Sequence, residues 1–238
     1  MKLSDRLDVI YNAIREGETV ADIGTDHGFV PIKLVETGKS PYVILADISN
    51  DSLKKGRKNI LSQVKDDYDG IIDFRLGDGL QALDYAEVND VIIAGMGGRL
   101  IREIMSYNIQ KTRSFEKFIL QPRNHAGELR YWLFNNGFNI ASDILVRESR
   151  HIPEILIVES GMPILDISEL NEESVELLAP VTLAENDKEL LLEFLERNIR
   201  NTKQVLSNLL LSSDDKSETI NDYKYRLNYL TEFMNKVK

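Results

Sequence analysis

The sequence predicts an α/β fold: a mostly parallel, Rossmann-like sheet with a terminal antiparallel strand, followed by a C-terminal α-helical coiled-coil hairpin. Three observations carry that reading. Short apolar runs alternate with amphipathic helical segments through the first part of the chain, and the runs end in acidic residues or glycines. Two strand patterns then follow one another with no helix between them, which calls for antiparallel pairing. Towards the C-terminus, apolar residues step alternately by four and three, the spacing of a coiled-coil seam.

Ser4 stands where an N-cap belongs, and Leu7, Ile10, Tyr11 and Ile14 recur at helical spacing until Gly17. This helix is expected to pack across a sheet edge or to cover a ligand site. Thr19 to Gly24 reads as the first strand. It breaks into Gly24-Thr25-Asp26-His27-Gly28 and resumes as a helix from Phe29 to Glu36, with Pro31 in the first turn and Gly38 as the stop. Glycines there let the backbone turn sharply, and the new helix aims unpaired N–H groups at whatever lies before it. The turn therefore reads as a nucleotide-binding opening.

Tyr42 to Asp47 is a second buried strand with an acid at its carboxyl end, followed by Ile48 and a helix from Ser49 to Val64. In an open parallel sheet ligands bind beyond the carboxyl ends, so Asp47 stands where a ribose diol would lie; the competing reading is that it caps the next helix. Ile72 to Leu76 alternates like an edge strand and runs into Gly77-Asp78-Gly79-Leu80. Asp78 is placed to accept from an exocyclic amine or to orient its loop. Asp90 to Ala94 is the most apolar strand, opening into Gly95-Met96-Gly97-Gly98 and a helix from Arg99 to Tyr107. These small residues are expected to keep the space above the sheet open.

Lys117 to Leu120 forms a fifth strand that ends in Gln121-Pro122-Arg123-Asn124, and Ala126 to Asn136 is helical. Phe138 to Val146 and Ile155 to Val158 are the antiparallel pair. The domains expected are a ligand-binding domain over 1–162, a linker over 163–185, and a helical hairpin over 186–238. Its two seams are Leu195, Ile199, Thr202, Leu206 and Leu209, then Tyr223, Leu227, Leu230, Met234 and Val237.

Composition narrows the chemistry. With no cysteine in 238 residues, disulfides, thiolate nucleophiles and zinc-thiolate sites are excluded. His27, His125 and His151 are scattered without partners at ligand spacing, so no metal is expected. No apolar run approaches the roughly 20 residues of a membrane span, and the N-terminus lacks the apolar core of a signal peptide, so a soluble, cytoplasmic protein is expected. The net charge is −10, yet the stretch from Gly97 to His151 is net positive, and Lys54 to Lys58 forms a second basic run. Taken globally the charge argues against a polyanionic partner, and solvated helix faces explain either patch considered separately, although distribution matters more than the sum.

A nicotinamide dinucleotide and S-adenosylmethionine both present a ribose diol to Asp47. Three features favour the second. Asp22 lies inside the first strand, where it can meet an α-ammonium, and the Asp-x-Gly-x-x-x-Gly spacing departs from that of a pyrophosphate turn. Asp78 adds a third acid suited to a cationic, adenine-bearing ligand. No basic residue lies in the first turn to meet phosphates.

Asp22-Ile23-Gly24-Thr25-Asp26-His27-Gly28, Ala94-Gly95-Met96-Gly97-Gly98, Gln121-Pro122-Arg123-Asn124 and the helical appendage together resemble the bacterial tRNA adenine-22 N1-methyltransferase family, of the class I S-adenosylmethionine-dependent fold. The resemblance covers essentially the whole chain, without a matching motif between Pro163 and Pro180. It implies methyl transfer from S-adenosylmethionine to N1 of an adenine in the tRNA core, with the coiled coil helping to hold the tRNA. Asp22, Gly24, Gly28, Asp47, Ile48, Asp78, Gly79, Ala94, Gly95 and Met96 would then hold the cofactor. Arg99, Gln121, Pro122, Arg123, Asn124, Arg147 and Arg150 would meet the tRNA. Asp26 and His27 would be the catalytic pair, Asp26 stabilising the cationic product ring and His27 contacting the base or orienting Asp26. The alternatives are a noncatalytic RNA-binding or assembly module with a relic cofactor site, a methyltransferase for a small molecule or protein, and a nicotinamide-dependent oxidoreductase.

Overall fold

A computed structural model describes residues 1–25, 27–63, 70–161, 166–211 and 216–238. The strands β1 (Val20–Ile23), β2 (Val43–Asp47), β3 (Ile72–Leu76), β4 (Asp90–Met96), β5 (Lys117–Pro122), β6 (Phe138–Leu145) and β7 (Glu154–Ser160) form one sheet in the order β3-β2-β1-β4-β5-β7-β6. The first five are parallel, and β7 runs antiparallel to both β5 and β6. The chain winds outward from β1 to the edge at β3 and then returns to β4. That reversal leaves a crevice beyond the carboxyl ends of β1 and β4, where a doubly wound sheet binds its ligand.

Alternation along the strands gives the sheet two cores. Ala21, Ile23, Ile44, Val91, Ile93 and Phe118 face α4 (Gly98–Ser106) and α6 (Ala126–Asn135), which contribute Ile101, Met105, Leu129 and Leu133. Val20, Val43, Leu45, Ile92 and Ile119 face α1 (Asp5–Ala13), α2 (Phe29–Glu36) and α3 (Asn50–Gln63), through Ile10, Ile32, Leu34 and Ile60. Each such side chain, fully buried, stabilises by roughly 1.5–3 kcal/mol over exposure. The short α5 (Ile109–Thr112), capped by Asn108, has no counterpart in the sequence reading.

Three expectations need correction. β4 and β5 continue two residues further than their apolar runs, because Met96 pairs with Pro122 across a bulge after Ala94. Segment 163–185 is no bare linker: within its described part, α7 (Val175–Leu178) and a 3-10 turn at Val181–Glu185 bury Val175, Leu177, Ala179 and Leu183. The expected boundary at 162–163, and Val64 at the end of the second helix, lie outside the described residues. The basic stretch is also partly internal. Arg130 is wholly buried, held by Asp143 at 2.8 Å and by Glu154, and it donates to the Leu177 carbonyl at 3.0 Å.

The hairpin of α8 (Lys188–Leu210) and α9 (Ser217–Val237) is antiparallel, with Lys188 Nζ donating to the Lys238 carbonyl at 2.7 Å. Asp187 caps α8 by accepting from the Leu190 amide at 2.9 Å. Leu195, Ile199 and Thr202 are buried along one seam and Leu230 along the other. The base of the hairpin is fastened to the sheet domain. Leu191 and Phe194 join Leu145 and Ile152 in a third apolar cluster, and the Tyr229 hydroxyl donates to the Ala179 carbonyl at 3.1 Å.

Candidate functional site

At the crevice lies a cavity of about 540 Å³, floored by Asp22, Gly24 and Thr25 of the first turn and by Ala94 and Gly95 of β4. Leu3, Arg6, Leu7 and Ile10 roof it. The N-terminal helix thus covers the site, because its apolar stripe continues from the second core over the strand ends. Ser4 has an N-cap backbone, but its hydroxyl makes no cap bond and lies 3.5 Å from Glu148.

Asp22 points to the same face as Leu45 and Ile92, beneath this cavity. Burial pushes its carboxyl up to about 6; the neighbouring Thr25 hydroxyl opposes the shift, and the charge on Asp47 adds to it. Thr25 Oγ1 is itself buried and, apart from its approach to the Asp22 carboxyl, has no hydrogen-bond partner among the described residues. At the floor of a cavity, an acid with no counter-charge among the described residues and a buried hydroxyl whose one polar neighbour there is that acid are the complement of a cationic, hydrogen-bonding ligand. The residues present therefore fit the amino-acid end of S-adenosylmethionine.

Gly24 and Gly28 line the cavity and take the left-handed backbone that the turn requires. A Cβ on Gly24, at φ +77°, would lie 1.9 Å from Met96 Cε, and one on Gly28, at φ +67°, 2.9 Å from Leu45 Cδ2. The space they vacate is filled by Met96 and Leu45, so the glycines fit the turn to the sheet. Met96 packs behind the turn and is not among the residues that line the cavity. Gly95 does line it, and its amide donates to Gln121 Oε1 at 3.0 Å.

Asp47, Ile48, Asp78 and Gly79 lie outside this cavity, along the neighbouring strand ends. Asp47 Oδ1 accepts from the Ser49 amide at 2.7 Å, while Ser49 Oγ accepts from Ser52 at the start of α3. Asp47 therefore shapes the turn and Ser49 caps the helix. Ile48 is 72% exposed and Leu76 63%, giving an open apolar shelf flanked by Asp47 and Asp78. Gly79, at φ +55°, packs against Ile104, where a Cβ would lie 2.8 Å from its Cγ2.

Asp26 lies outside the described residues. His27 borders the cavity and stacks on Phe29 at 5.2 Å, with its carbonyl accepting from Asn59. The rim residues divide. Gln121 and Pro122 are buried in β5, where they present no exposed surface but line a cavity together with Arg123. Arg99 makes a two-pronged pair with Glu128 at 2.7 and 2.8 Å, and Arg147 pairs with Glu193 of α8 at 2.6 Å. Asn124 is exposed, its carbonyl accepting from the Gly98 amide and its Oδ1 lying 2.8 Å from His125 Nδ1. Arg123 and Arg150 are exposed, and among the described residues no acid pairs with either. Sequence reasoning missed Arg6, Thr25 and Glu148. Arg6 had a visible signal: a charge set between Leu3, Leu7 and Ile10 on an otherwise apolar helix face.

Residues 3–156, well over half of the chain, match the family model described as a methyltransferase domain. The chain belongs to this methyltransferase family. Over 161 residues the methyltransferase is 32% identical to the tRNA (adenine(22)-N(1))-methyltransferase of Bacillus subtilis (strain 168). The match covers 68% of this chain and 66% of that relative, just under two-thirds of its length. The structure of the Bacillus subtilis M1A22 tRNA methyltransferase TrmK superposes with a TM-score of 0.78 at 26% identity, covering 99% and 98% of the two chains. Streptococcus pneumoniae Sp1610, solved in complex with S-adenosyl-L-methionine, superposes with a TM-score of 0.82 at 26% identity, covering 98% of this methyltransferase and 100% of that chain. Among the described residues no helix is long and apolar enough to cross a membrane.

Proposed function

We propose that this methyltransferase uses S-adenosylmethionine to methylate N1 of an adenine in the tRNA core. The observation that carries the reading is the half-buried Asp22, with no counter-charge among the described residues, beside the buried Thr25 hydroxyl at the floor of a cavity between β1 and β4. Relatives named for the same reaction, and one solved with the cofactor, support it.

When bound, the cofactor supplies an electrophilic methyl group on a sulfonium. Asp22 would hold the ammonium end, Asp47 would accept from the ribose hydroxyls, and Ile48 with Asp78 would take the adenine by stacking and by accepting from its amino group. Ala94 and Gly95 floor the reacting end, and the α1 roof excludes water there. N1 of adenine carries its own lone pair, so the protein need only unpair, desolvate and align it. Arg123 and Arg150, with the α8–α9 hairpin behind them, hold the phosphate backbone in register.

The test is transfer of a labelled methyl group from S-adenosylmethionine onto bulk tRNA, followed by nucleoside digestion. N1-methyladenosine is the expected product; its absence overturns the assignment. Thermal stabilisation by S-adenosylhomocysteine and none by NAD is expected in parallel.

A further inference from the structure

A second cavity, of about 470 Å³, adjoins the first, and Arg6, Gly95 and Arg123 form walls of both. Its other side is the turn between β6 and β7, which contributes Glu148 and His151, with Arg197 of α8 completing the wall. This turn is firmly built. The amides and carbonyls of Glu148 and His151 exchange two hydrogen bonds of 2.9 Å, with Ser149 left-handed at φ +55°. From behind, Arg197 donates to the Arg150 carbonyl at 2.7 Å, and Arg147 holds Glu193.

The Glu148 carboxylate meets Arg6, whose Nε lies 3.0 Å from each of its oxygens. Arg6 Nη1 reaches Gln121 Oε1 at 3.3 Å, the same oxygen that accepts from the Gly95 amide. One polar chain therefore runs from Gly95 of β4, which lines both cavities, to Glu148 in the second. Stability gives little reason for it, since a pair with this much solvent contact contributes at most about 1 kcal/mol. The arrangement instead leaves a positioned carboxylate with lone pairs to spare in a cavity that opens beside the first.

We propose that the second cavity receives the acceptor adenine and that Glu148 accepts a hydrogen bond from its 6-amino group. This rests on the reading of adenine N1 as the methyl acceptor. As the N1 lone pair forms the new N–CH₃ bond, the donor's C–S bond breaks with its electron pair on sulfur. No proton leaves N1, so the positive charge passes from sulfur to the ring and is shared with the 6-amino nitrogen. A carboxylate on that amine binds the cationic transition state more tightly than the neutral base. The same carboxylate repels the 6-oxo group of guanine, which selects adenine.

The test pairs two enzymes with two substrates. Wild-type protein and Glu148→Gln are assayed for kcat/KM on a tRNA transcript bearing adenine at the target position and on one bearing purine, which lacks the amine. Removing the amine alone, or the carboxylate's charge alone, is expected to cost about 10- to 100-fold, and removing both little more than removing one. Equal amine penalties in the two enzymes overturn the proposal. Arg6→Gln separates a supporting strut from a contact: if it reproduces the loss of coupling while Glu148 is intact, Glu148 acts through Arg6 and the proposal falls. S-adenosylhomocysteine affinity is measured alongside, and Glu148→Asp replaces a glutamine variant that fails to bind it. Absence of N1-methyladenosine with wild-type protein would sink the functional reading; its presence without coupling would sink only the assignment of Glu148.

Discussion

The Met96 Cε methyl fills the space in front of Gly24, where a Cβ would stand 1.9 Å away. Two costs follow for Gly24→Ala, and their magnitudes separate them. The tip of a methionine swings aside cheaply, whereas alanine held at φ +77° costs about 1–2 kcal/mol. Urea unfolding should therefore show a loss of about that size, and adding Met96→Ala should return less than half of it. Full recovery in the double variant would assign the cost to crowding instead.

Asp22 should make cofactor affinity depend on pH. Its carboxyl titrates at about 6 in the folded protein against an ordinary 3.8, so between those values the folded state holds a proton that the unfolded chain has released. The free protein accordingly loses stability from this group as pH rises through that window. A bound ammonium favours the ionised carboxylate, so binding expels the proton. Calorimetry with S-adenosylmethionine should show affinity rising from about pH 5 to about pH 7 with proton release, and Asp22→Asn should bind weakly with a flat profile. A wild-type affinity independent of pH would remove Asp22 from the cofactor site.

The sheet was legible because its central strands are apolar runs that end in an acid or glycine, as at Val20–Ile23 and Val43–Asp47. Legibility failed where tertiary partners decide. Gly95-Met96 looks like loop, yet pairing with β5 carries the strand through it. Val175, Leu177, Ala179 and Leu183 lie in a stretch too polar and too short-period to announce a fold, and burial against α6, α8 and α9 gives it one. Charges were countable, but their partners were not. Arg99, Arg130 and Arg147 all belong to the same basic stretch, and each finds an acid in another element. The position of Asp22 at the cavity floor was readable from its place in the first strand, whereas Arg6 and Glu148 meet only because α1 folds across the β6–β7 turn.

Arg130 is the buried pin between α6, the β6–β7 pair and α7. Its guanidinium serves Asp143, Glu154 and the Leu177 carbonyl at once, and burial pushes both carboxyls upward against its attraction. Arg130→Met strands two buried acids and should cost about 3–5 kcal/mol in unfolding experiments, whereas Asp143→Asn, which keeps a partner on either side, should cost less. A loss under about 1 kcal/mol for Arg130→Met would mean that the cluster is dispensable.

The basic rim should respond unevenly to charge reversal. Arg150 carries its charge on the turn that closes the second cavity, with no paired acid among the described residues, whereas Arg99 is already matched by Glu128. Each phosphate contact releases about one counterion, so its loss lowers the slope of log affinity against log salt by about 1. Arg150→Glu should therefore weaken tRNA binding by about tenfold or more and flatten that slope, while Arg99→Glu, which first exchanges a neutral pair for a repulsive one, should leave the slope closer to wild type. Arg123 borders both cavities, so its reversal should weaken S-adenosylhomocysteine binding as well as tRNA binding, which Arg150→Glu should not do. Mobility-shift titrations across a salt series, with calorimetry of the cofactor product, separate the three variants. An unchanged slope for Arg150→Glu would take the phosphate track off this face of the protein.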